Sequence, residues 1–157
     1  MTIQVGEKIP DVTLKTTDMK DVTTAELFSG KKVVLFALPG AFTPTCSAKH
    51  LPGFVQNAEA IKAKGVDDVI CLSVNDAFVM AAWAKDQGSE GKVTLIADGS
   101  GELTRALGLD FDASNFGMGV RSQRYAAIVE DGVLKGLYVE KPMAFEVSSA
   151  EAVLAQL

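Results

Sequence analysis

Two segments of the chain are continuously apolar, and each is as long as one buried strand. Lys32–Leu38 reads KVVLFAL and residues 69–74 read VICLSV. Uninterrupted apolar runs of this length are typical of strands that are buried on both faces of a parallel sheet. Residues 93–97 (VTLIA) predict a third buried strand, and the alternating residues 10–14 predict a shorter one.

Helical patterns separate these strands. Between residues 45 and 64, apolar side chains recur at steps of three and four, at Leu51, Phe54, Val55, Ala58 and Ile61. Gly65 ends this helix, and Pro52 should kink it because proline lacks the N–H donor. Three shorter helices are predicted: residues 23–28 with a Thr23–Glu26 capping box, a helix capped by Asn75 or Asp76 that runs to Gln87, and residues 102–107.

The last part of the chain predicts a β-hairpin and a final helix. Residues 125–130 and 133–139 are apolar and β-branched, and the Asp131-Gly132 pair between them favours a two-residue turn. Ser148 and Glu151 have the spacing of a capping box for the final helix. Strands that alternate with helices indicate an α/β fold with a central mixed sheet and helices on both faces. We expect one domain, residues 1–157, with a thioredoxin-like arrangement; a flavodoxin-like sheet is the alternative.

Composition and charge exclude several classes of protein. The 157 residues carry a net charge of −5 and no basic cluster, so binding to nucleic acid or to anionic membranes is not expected. No apolar run approaches the ~20 residues of a membrane-spanning helix. Two cysteines and one histidine are too few for a disulfide scaffold or a closed zinc site. We expect no metal and no organic cofactor. The N-terminal residues lack secretory or transit character, and we expect a cytoplasmic protein.

The chemistry-bearing segment is residues 39–50, PGAFTPTCSAKH, which join the first buried strand to the longest helix. Cys46 falls in the first helical turn, where free N–H groups and the helix dipole favour a thiolate over a thiol. The alternative is that Cys46 is a small core residue, as free cysteines usually are. Thr43 can place a hydroxyl beside the sulfur, and the ring of Pro39 or Pro44 can shield one side of it.

The segment PGAFTPTCS resembles the peroxidatic-cysteine motif of the peroxiredoxins, and its continuation through residue 54 is similar to their type II, peroxiredoxin-five-like branch. Further stretches that resemble this branch are residues 64–78, 95–99, 121–125 and 147–151. The resemblance therefore covers nearly the whole chain. It implies a thioredoxin-like fold and a thiol-dependent reduction of hydrogen peroxide, organic hydroperoxides and peroxynitrite.

The resemblance also implies roles for individual residues. Cys46 corresponds to the nucleophile that attacks the peroxide and becomes a sulfenic acid. Thr43 would hydrogen-bond the thiolate and the peroxide, and Pro39 would limit the access of water. The family's arginine precedes an aromatic residue at the start of the hairpin, which matches Arg124; Arg121 is the second candidate, with an acidic partner as its other role.

His50 and Cys71 each allow more than one interpretation. His50 follows Cys46 by one helical turn and could be its base, a structural hydrogen-bonding residue, which we favour, or half of a metal pair. Cys71 lies in mid-strand, where a buried and inert thiol is expected. The segment before the last helix, where some family members carry a resolving cysteine, has none.

We therefore expect the sulfenic acid to be resolved by an external thiol, with glutathione, glutaredoxin or thioredoxin as the reductant. A homodimer is expected from the family resemblance, with Phe42 and residues 115–118 as apolar contacts. A thioredoxin-like redox or chaperone-type binding protein without peroxidase turnover is the alternative function. The chain has no C-x-x-C pair, which weakens that alternative.

Overall fold

The computed structural model describes all residues 1–157, and its centre is a mixed sheet of seven strands. The strands in chain order are β1 (Thr13–Thr16), β2 (Asp21–Thr23), β3 (Lys32–Leu38), β4 (Asp68–Ser73), β5 (Thr94–Ala97), β6 (Asp110–Asp112), β7 (Val120–Ser122), β8 (Tyr125–Glu130) and β9 (Val133–Val139). The order across the sheet is β2-β1-β5-β4-β3-β8-β9, and β6 and β7 form a separate antiparallel pair. Only β3, β4 and β5 run parallel, so the sheet is mixed, as a thioredoxin-like fold requires.

Helices cover both faces of this sheet, as the sequence predicted. The α-helices are α1 (Thr24–Phe28), α2 (Leu51–Lys62), α3 (Ala77–Gln87), α4 (Glu102–Ala106) and α5 (Ala150–Leu154). Helices α2, α3 and α5 pack on one face, and α1 and α4 pack on the other. None of the helices has the length and apolar character that a membrane crossing would need.

Alternation along β3 divides the interior into two cores. Val34, Phe36 and Leu38 pack beneath α2, α3 and α5, whereas Val33, Leu35 and Ala37 pack beneath α1 and α4. Both cysteines belong to the first of these cores. The continuous apolar run of β3 thus fills both faces of the sheet, which is the reason its sequence does not alternate.

Three of the local signals predicted from the sequence are confirmed. The Thr23 side chain and Glu26 form the capping box at α1. Asp76, rather than Asn75, caps α3 by accepting a hydrogen bond from the Val79 N–H. Asp131 (φ 49°) and Gly132 (φ 77°) have the two positive φ angles that the tight turn between β8 and β9 needs.

The first strand and the last cap differ from the prediction. Strand β1 begins at Thr13 rather than residue 10, because Pro10 has no N–H to donate and its carbonyl instead accepts the Thr24 hydroxyl. The expected capping box of Ser148 and Glu151 is absent: Ser149 is the N-cap of α5 and bonds the Ala152 N–H. Ser148 is buried and bonds elsewhere.

Candidate active site

The segment predicted to carry the chemistry leaves the carboxyl end of β3 in a tight, tethered loop. A side chain on Gly40 would place its Cβ 2.8 Å from Nη1 of Arg121, so any larger residue would have to displace that guanidinium. The Ala41 N–H donates to Oδ1 of Asn75 at 2.9 Å, which ties the loop to the turn before α3. Phe42 follows with a positive φ of 64° and an exposed ring.

Cys46 lies in the first turn of the helix that this loop enters. Pro44 and Thr45 are already helical, and the Ser47 N–H donates to the Thr43 carbonyl at 3.0 Å. Cys46 is therefore close to the N-terminus of the helix, where the positive end of the helix dipole favours a negative charge. The Cys46 residue is fully buried, so even hydrogen peroxide needs a local movement of the protein to reach its sulfur.

The helix expected over residues 45–64 is interrupted immediately after the cysteine. Cys46–His50 form a π-helical turn, in which the Leu51 N–H donates to the Cys46 carbonyl five residues earlier. This π-helical turn is the irregularity that Pro52 was expected to cause, because in a regular α-helix the proline ring would clash with the carbonyl of Ala48. The wider turn relieves that clash, and Pro52 occupies the first turn of α2.

Arg124 is the arginine that reaches the cysteine. Its Nη2 donates to Sγ of Cys46 at 3.2 Å, and its Nη1 donates to Nδ1 of His50 at 2.8 Å. The register explains the contact: Tyr125 pairs with Ala37, so Arg124 lies beside the end of β3, where the chain turns towards the cysteine. A positive charge at this distance stabilises a thiolate and any negative charge that develops on a bound oxygen.

His50 is a buried, neutral hydrogen-bonding residue. Its Nε2 is 2.9 Å from the Ser148 carbonyl, which can only accept, so Nε2 carries the proton and Nδ1 is the acceptor for Arg124. Burial, and then the charge of Arg124, lower the pKa of His50 from 6.5 to about 3 despite the Ser148 carbonyl. Both ring nitrogens are therefore occupied, which supports the structural interpretation over a base or a metal ligand. No group of three or more metal-ligating side chains occurs in the chain.

Thr43 and Arg121 make contacts that differ from those expected. The Thr43 hydroxyl donates to the Gly40 carbonyl at 2.6 Å, and no hydrogen bond joins it to the Cys46 sulfur. Its proton is held by the loop, so the free lone pairs of Oγ1 remain as acceptors. Arg121 has no acidic partner: its Nε donates to the Met118 carbonyl at 3.0 Å and its Nη1 to the Pro39 carbonyl at 3.4 Å. Pro39 itself is half-buried.

Cys71 lies in the middle of β4, opposite Phe36 on one side and Leu95 on the other. Its side chain is fully buried and, like that of Cys46, it forms no disulfide. Burial, and then the nearby Cys46, raise the pKa of the Cys71 thiol well above its usual range. Hence Cys71 is held as a neutral thiol.

Sequence reasoning missed several side chains that support the site. Nε1 of Trp83 in α3 donates to Oγ of Ser47 at 3.0 Å and so fixes the first helical turn. The Phe145 ring packs edge-on against His50 at 5.0 Å and lies 5.7 Å from the Arg124 guanidinium. Apolar periodicity marks Trp83 only as a core residue, and Phe145 lies in a loop without periodicity, so neither had a signal in the sequence.

Comparisons with known proteins agree with this arrangement. The Redoxin family model matches residues 4–154. Peroxiredoxin-2E-2, chloroplastic, of Oryza sativa is 55% identical over 99% of this chain and 73% of its own length. Peroxiredoxin-2B of Arabidopsis thaliana is 50% identical over 99% of this chain and 98% of its own. The crystal structure of reduced Prx3 from Vibrio vulnificus in complex with H₂O₂ has a TM-score of 0.95 and 52% identity, and it covers 99% of this chain and 100% of its own.

Proposed function

Since the chain belongs to the peroxiredoxins of the Redoxin family, and is therefore a thiol-dependent peroxidase, we propose that Cys46 is its peroxidatic nucleophile and Arg124 its activating cation. The observation that carries this assignment is the 3.2 Å hydrogen bond from Nη2 of Arg124 to Sγ of Cys46. A guanidinium stays charged at every physiological pH and offers several donors, so it can hold the thiolate and the peroxide together. Residues 1–157 would act as one domain.

The proposed reaction begins with in-line attack of the Cys46 thiolate on the terminal peroxide oxygen. A sulfur–oxygen bond forms while the oxygen–oxygen bond breaks, so the sulfur is oxidised to a sulfenic acid and the peroxide is reduced. The leaving oxygen takes up a proton and departs as water or as an alcohol. Arg124 stabilises the negative charge that this oxygen carries as the bond breaks.

Thr43 and Pro39 would position the peroxide. Because the Thr43 hydroxyl donates to the Gly40 carbonyl, its oxygen is free to accept the peroxide O–H and to orient it towards the sulfur. Pro39 leaves the end of β3 beside this position and is half-buried, so its ring limits the access of water. Hydrogen peroxide, organic hydroperoxides and peroxynitrite are the proposed substrates.

We propose that an external thiol, from glutathione, glutaredoxin or thioredoxin, returns the sulfenic acid to the thiol. The inward-facing position of Cys71 in β4 supports this, because a neutral thiol enclosed between two strands is a poor attacking group. A disulfide between the two cysteines would also need a particular Cα separation and Cβ orientation, and the enclosure of Cys71 in β4 opposes any movement needed to reach that geometry.

A homodimer is proposed from the exposed apolar side chains near the site. Phe42 is 53% exposed and Phe116 is 69% exposed, and the segment that carries Phe116 reaches the loop at Gly40 through Met118. Apolar patches of this kind mark interaction surfaces. Sedimentation equilibrium should give the mass of a dimer, and Phe42→Asp should weaken association, whereas Val5→Asp, at a site 61% exposed, should not.

We propose a cytoplasmic location, since a peroxidase that works through a free thiol needs a reducing compartment for its regeneration. Two of the relatives are named chloroplastic, so an organelle is the competing location. Immunofluorescence of the endogenous protein against organellar markers separates the two locations.

The decisive experiment is stopped-flow reduction of hydrogen peroxide by the reduced protein. Cys46→Ser should abolish rapid peroxide consumption, whereas Cys71→Ser should retain it with at least one of the three reductants. Unchanged consumption by Cys46→Ser would remove the nucleophile assignment. Loss of turnover with every reductant in Cys71→Ser, with the first oxidation intact, would make Cys71 the resolving residue.

A further inference from the structure

We infer that the buried carboxylate of Glu140 is a positioning residue for the reaction, because it fixes the loop whose carbonyl sets the tautomer of His50 and thereby aims Arg124 at Cys46. The inference rests on the proposed role of Arg124. The Glu140 side chain forms no hydrogen bond with Cys46; its hydrogen bonds go to residues 146–148. It acts through a continuous series of hydrogen bonds.

The first part of this series is a carboxylate with four donors on one oxygen. Oε2 of Glu140 accepts the N–H groups of Glu146 (2.7 Å), Val147 (2.9 Å) and Ser148 (2.9 Å), and the Ser148 hydroxyl (2.7 Å). Glu140 is buried, and these bonds outweigh the effect of burial, so that its pKa is lowered and it remains ionised. The ionised form suits this place, because hydrogen bonds to a charged carboxylate are stronger than those to a neutral oxygen and a protonated carboxyl would add a fifth donor to the cluster.

The second part connects the loop to the imidazole. With its N–H and hydroxyl fixed by Glu140, Ser148 directs its carbonyl at Nε2 of His50. This contact requires the proton on Nε2 and leaves Nδ1 as the acceptor that holds Nη1 of Arg124. Nη2 of the same planar group then points at the Cys46 sulfur.

The position of Glu140 in the sheet explains why its carboxylate must be occupied. The Glu140 N–H donates to the Arg124 carbonyl at 2.9 Å, so the two residues are direct cross-strand partners and their side chains project from the same face. A carboxylate in that place would ordinarily pair with the guanidinium. Here the carboxylate accepts the four hydrogen bonds from the loop instead, so the N–H donors of Arg124 remain available for His50 and Cys46.

The tautomer of His50 can be read directly, because the chain has a single histidine. In ¹⁵N spectra of histidine-labelled protein at pH 7, the wild type should show the proton on Nε2 alone. Glu140→Gln keeps the size of the side chain but removes the charge, and it should give a mixture of the Nε2–H and Nδ1–H forms. Ser148→Ala removes one of the four donors and keeps the carbonyl, so it should shift the tautomer in the same direction by less.

The second measurement is the single-turnover rate constant for oxidation of Cys46 by hydrogen peroxide. We expect Glu140→Gln to lower it about tenfold, the effect of one misaligned charged hydrogen bond. Asp98→Asn is the matched control, since Asp98 is also buried and accepts three hydrogen bonds, from Leu103 and Thr104, in the opposite core. It should lower the unfolding temperature without changing the rate constant or the tautomer.

The outcomes separate positioning from simple stability. If Glu140→Gln loses stability but keeps the wild-type tautomer and rate constant, as expected of Asp98→Asn, the inference is wrong. It is also wrong if Glu140→Gln slows the reaction equally in the wild type and in Arg124→Met, because an effect through Arg124 must disappear when Arg124 is absent. Should Glu140→Gln fail to fold, an unchanged tautomer and rate constant in Ser148→Ala would overturn the inference by themselves. A wild-type rate in Arg124→Met would refute the proposed role of Arg124 and, with it, the kinetic part of the inference, whereas the ¹⁵N measurement would still report whether Glu140 sets the tautomer of His50.

Discussion

The two cysteines of this chain are equally buried, yet their surroundings are opposite. Cys46 and Cys71 each have no exposed surface, and both lie in the core beneath α2 and α3. Cys46 is in the first turn of a helix and accepts a hydrogen bond from a guanidinium. Cys71 is in the middle of β4 between two strands, and burial raises the pKa of its thiol.

The difference shows that burial alone does not make a thiol inert. An ionised sulfur that is kept away from water needs a donor in place of the water, and of the two sulfurs that of Cys46 accepts such a hydrogen bond, from Arg124. Cys71 has apolar neighbours that cannot compensate a charge. The sulfur of Cys46 is therefore the proposed nucleophile because of Arg124 and the start of the helix.

Removing the Arg124 guanidinium should have the largest effect on the difference between Cys46 and Cys71. Arg124→Met should lower the rate constant for oxidation of Cys46 by about 10²–10³-fold, the usual effect of losing one preorganised charged donor. Cys46 would then resemble Cys71, a buried thiol without a cation. Stopped-flow mixing with hydrogen peroxide measures the change, and Arg121→Met is the control, since Arg121 bonds backbone carbonyls only. Equal losses in both variants would contradict the assignment to Arg124.

The neutral state of His50 matters for the comparison of Cys46 with Cys71, because it leaves Arg124 as the cation beside the Cys46 sulfur. The folded protein does not protonate His50 until about pH 3, whereas the unfolded chain does so near 6.5. Its contribution to stability is therefore complete above pH 6.5 and falls as the pH decreases towards 3, by up to ~1.4 kcal/mol per pH unit.

Urea unfolding of the wild type and of His50→Gln at pH 7, 6 and 5 tests this dependence. The free energy of unfolding should depend less steeply on pH in the variant than in the wild type, since glutamine does not titrate. Identical slopes in the two proteins would mean that the pKa of His50 is the same in the folded and the unfolded protein, and below about pH 6.5 the comparison of the two thiols would then have to include a second cation.

The smallest expected effect concerns Cys71, the thiol that we expect to be inert. Cys71→Ala removes one buried sulfur from a packed position and should lower the free energy of unfolding by about 1 kcal/mol. The rate constant for oxidation of Cys46 should change less than twofold. Denaturant unfolding and stopped-flow oxidation of the same preparation give both values, and a large kinetic effect would show that the two thiols are coupled.

Local signals in the sequence determined much of the fold. The unbroken apolar run of β3, the capping box at Thr23 and the Asp131-Gly132 turn are each decided by neighbouring residues, and the structure confirms them. Ser148 shows the limit of this reasoning. Its spacing from Glu151 predicts that Ser148 caps the last helix. Its hydroxyl instead donates to the carboxylate of Glu140, eight residues earlier, and no local sequence pattern indicates this competing hydrogen bond.

By itself, the sequence determined the family, the placement of Cys46 at the start of a helix and the choice of Arg124 as the candidate cation. Only the tertiary structure decided which atoms form hydrogen bonds. The Arg124 guanidinium donates to Sγ of Cys46 and Nδ1 of His50. The Thr43 hydroxyl donates to a backbone carbonyl rather than to the sulfur, and the Glu140 carboxylate accepts from the loop before α5. The physical reason is that motif residues lie close together along the chain, whereas Arg124 and Cys46 are 78 residues apart and meet through strand register.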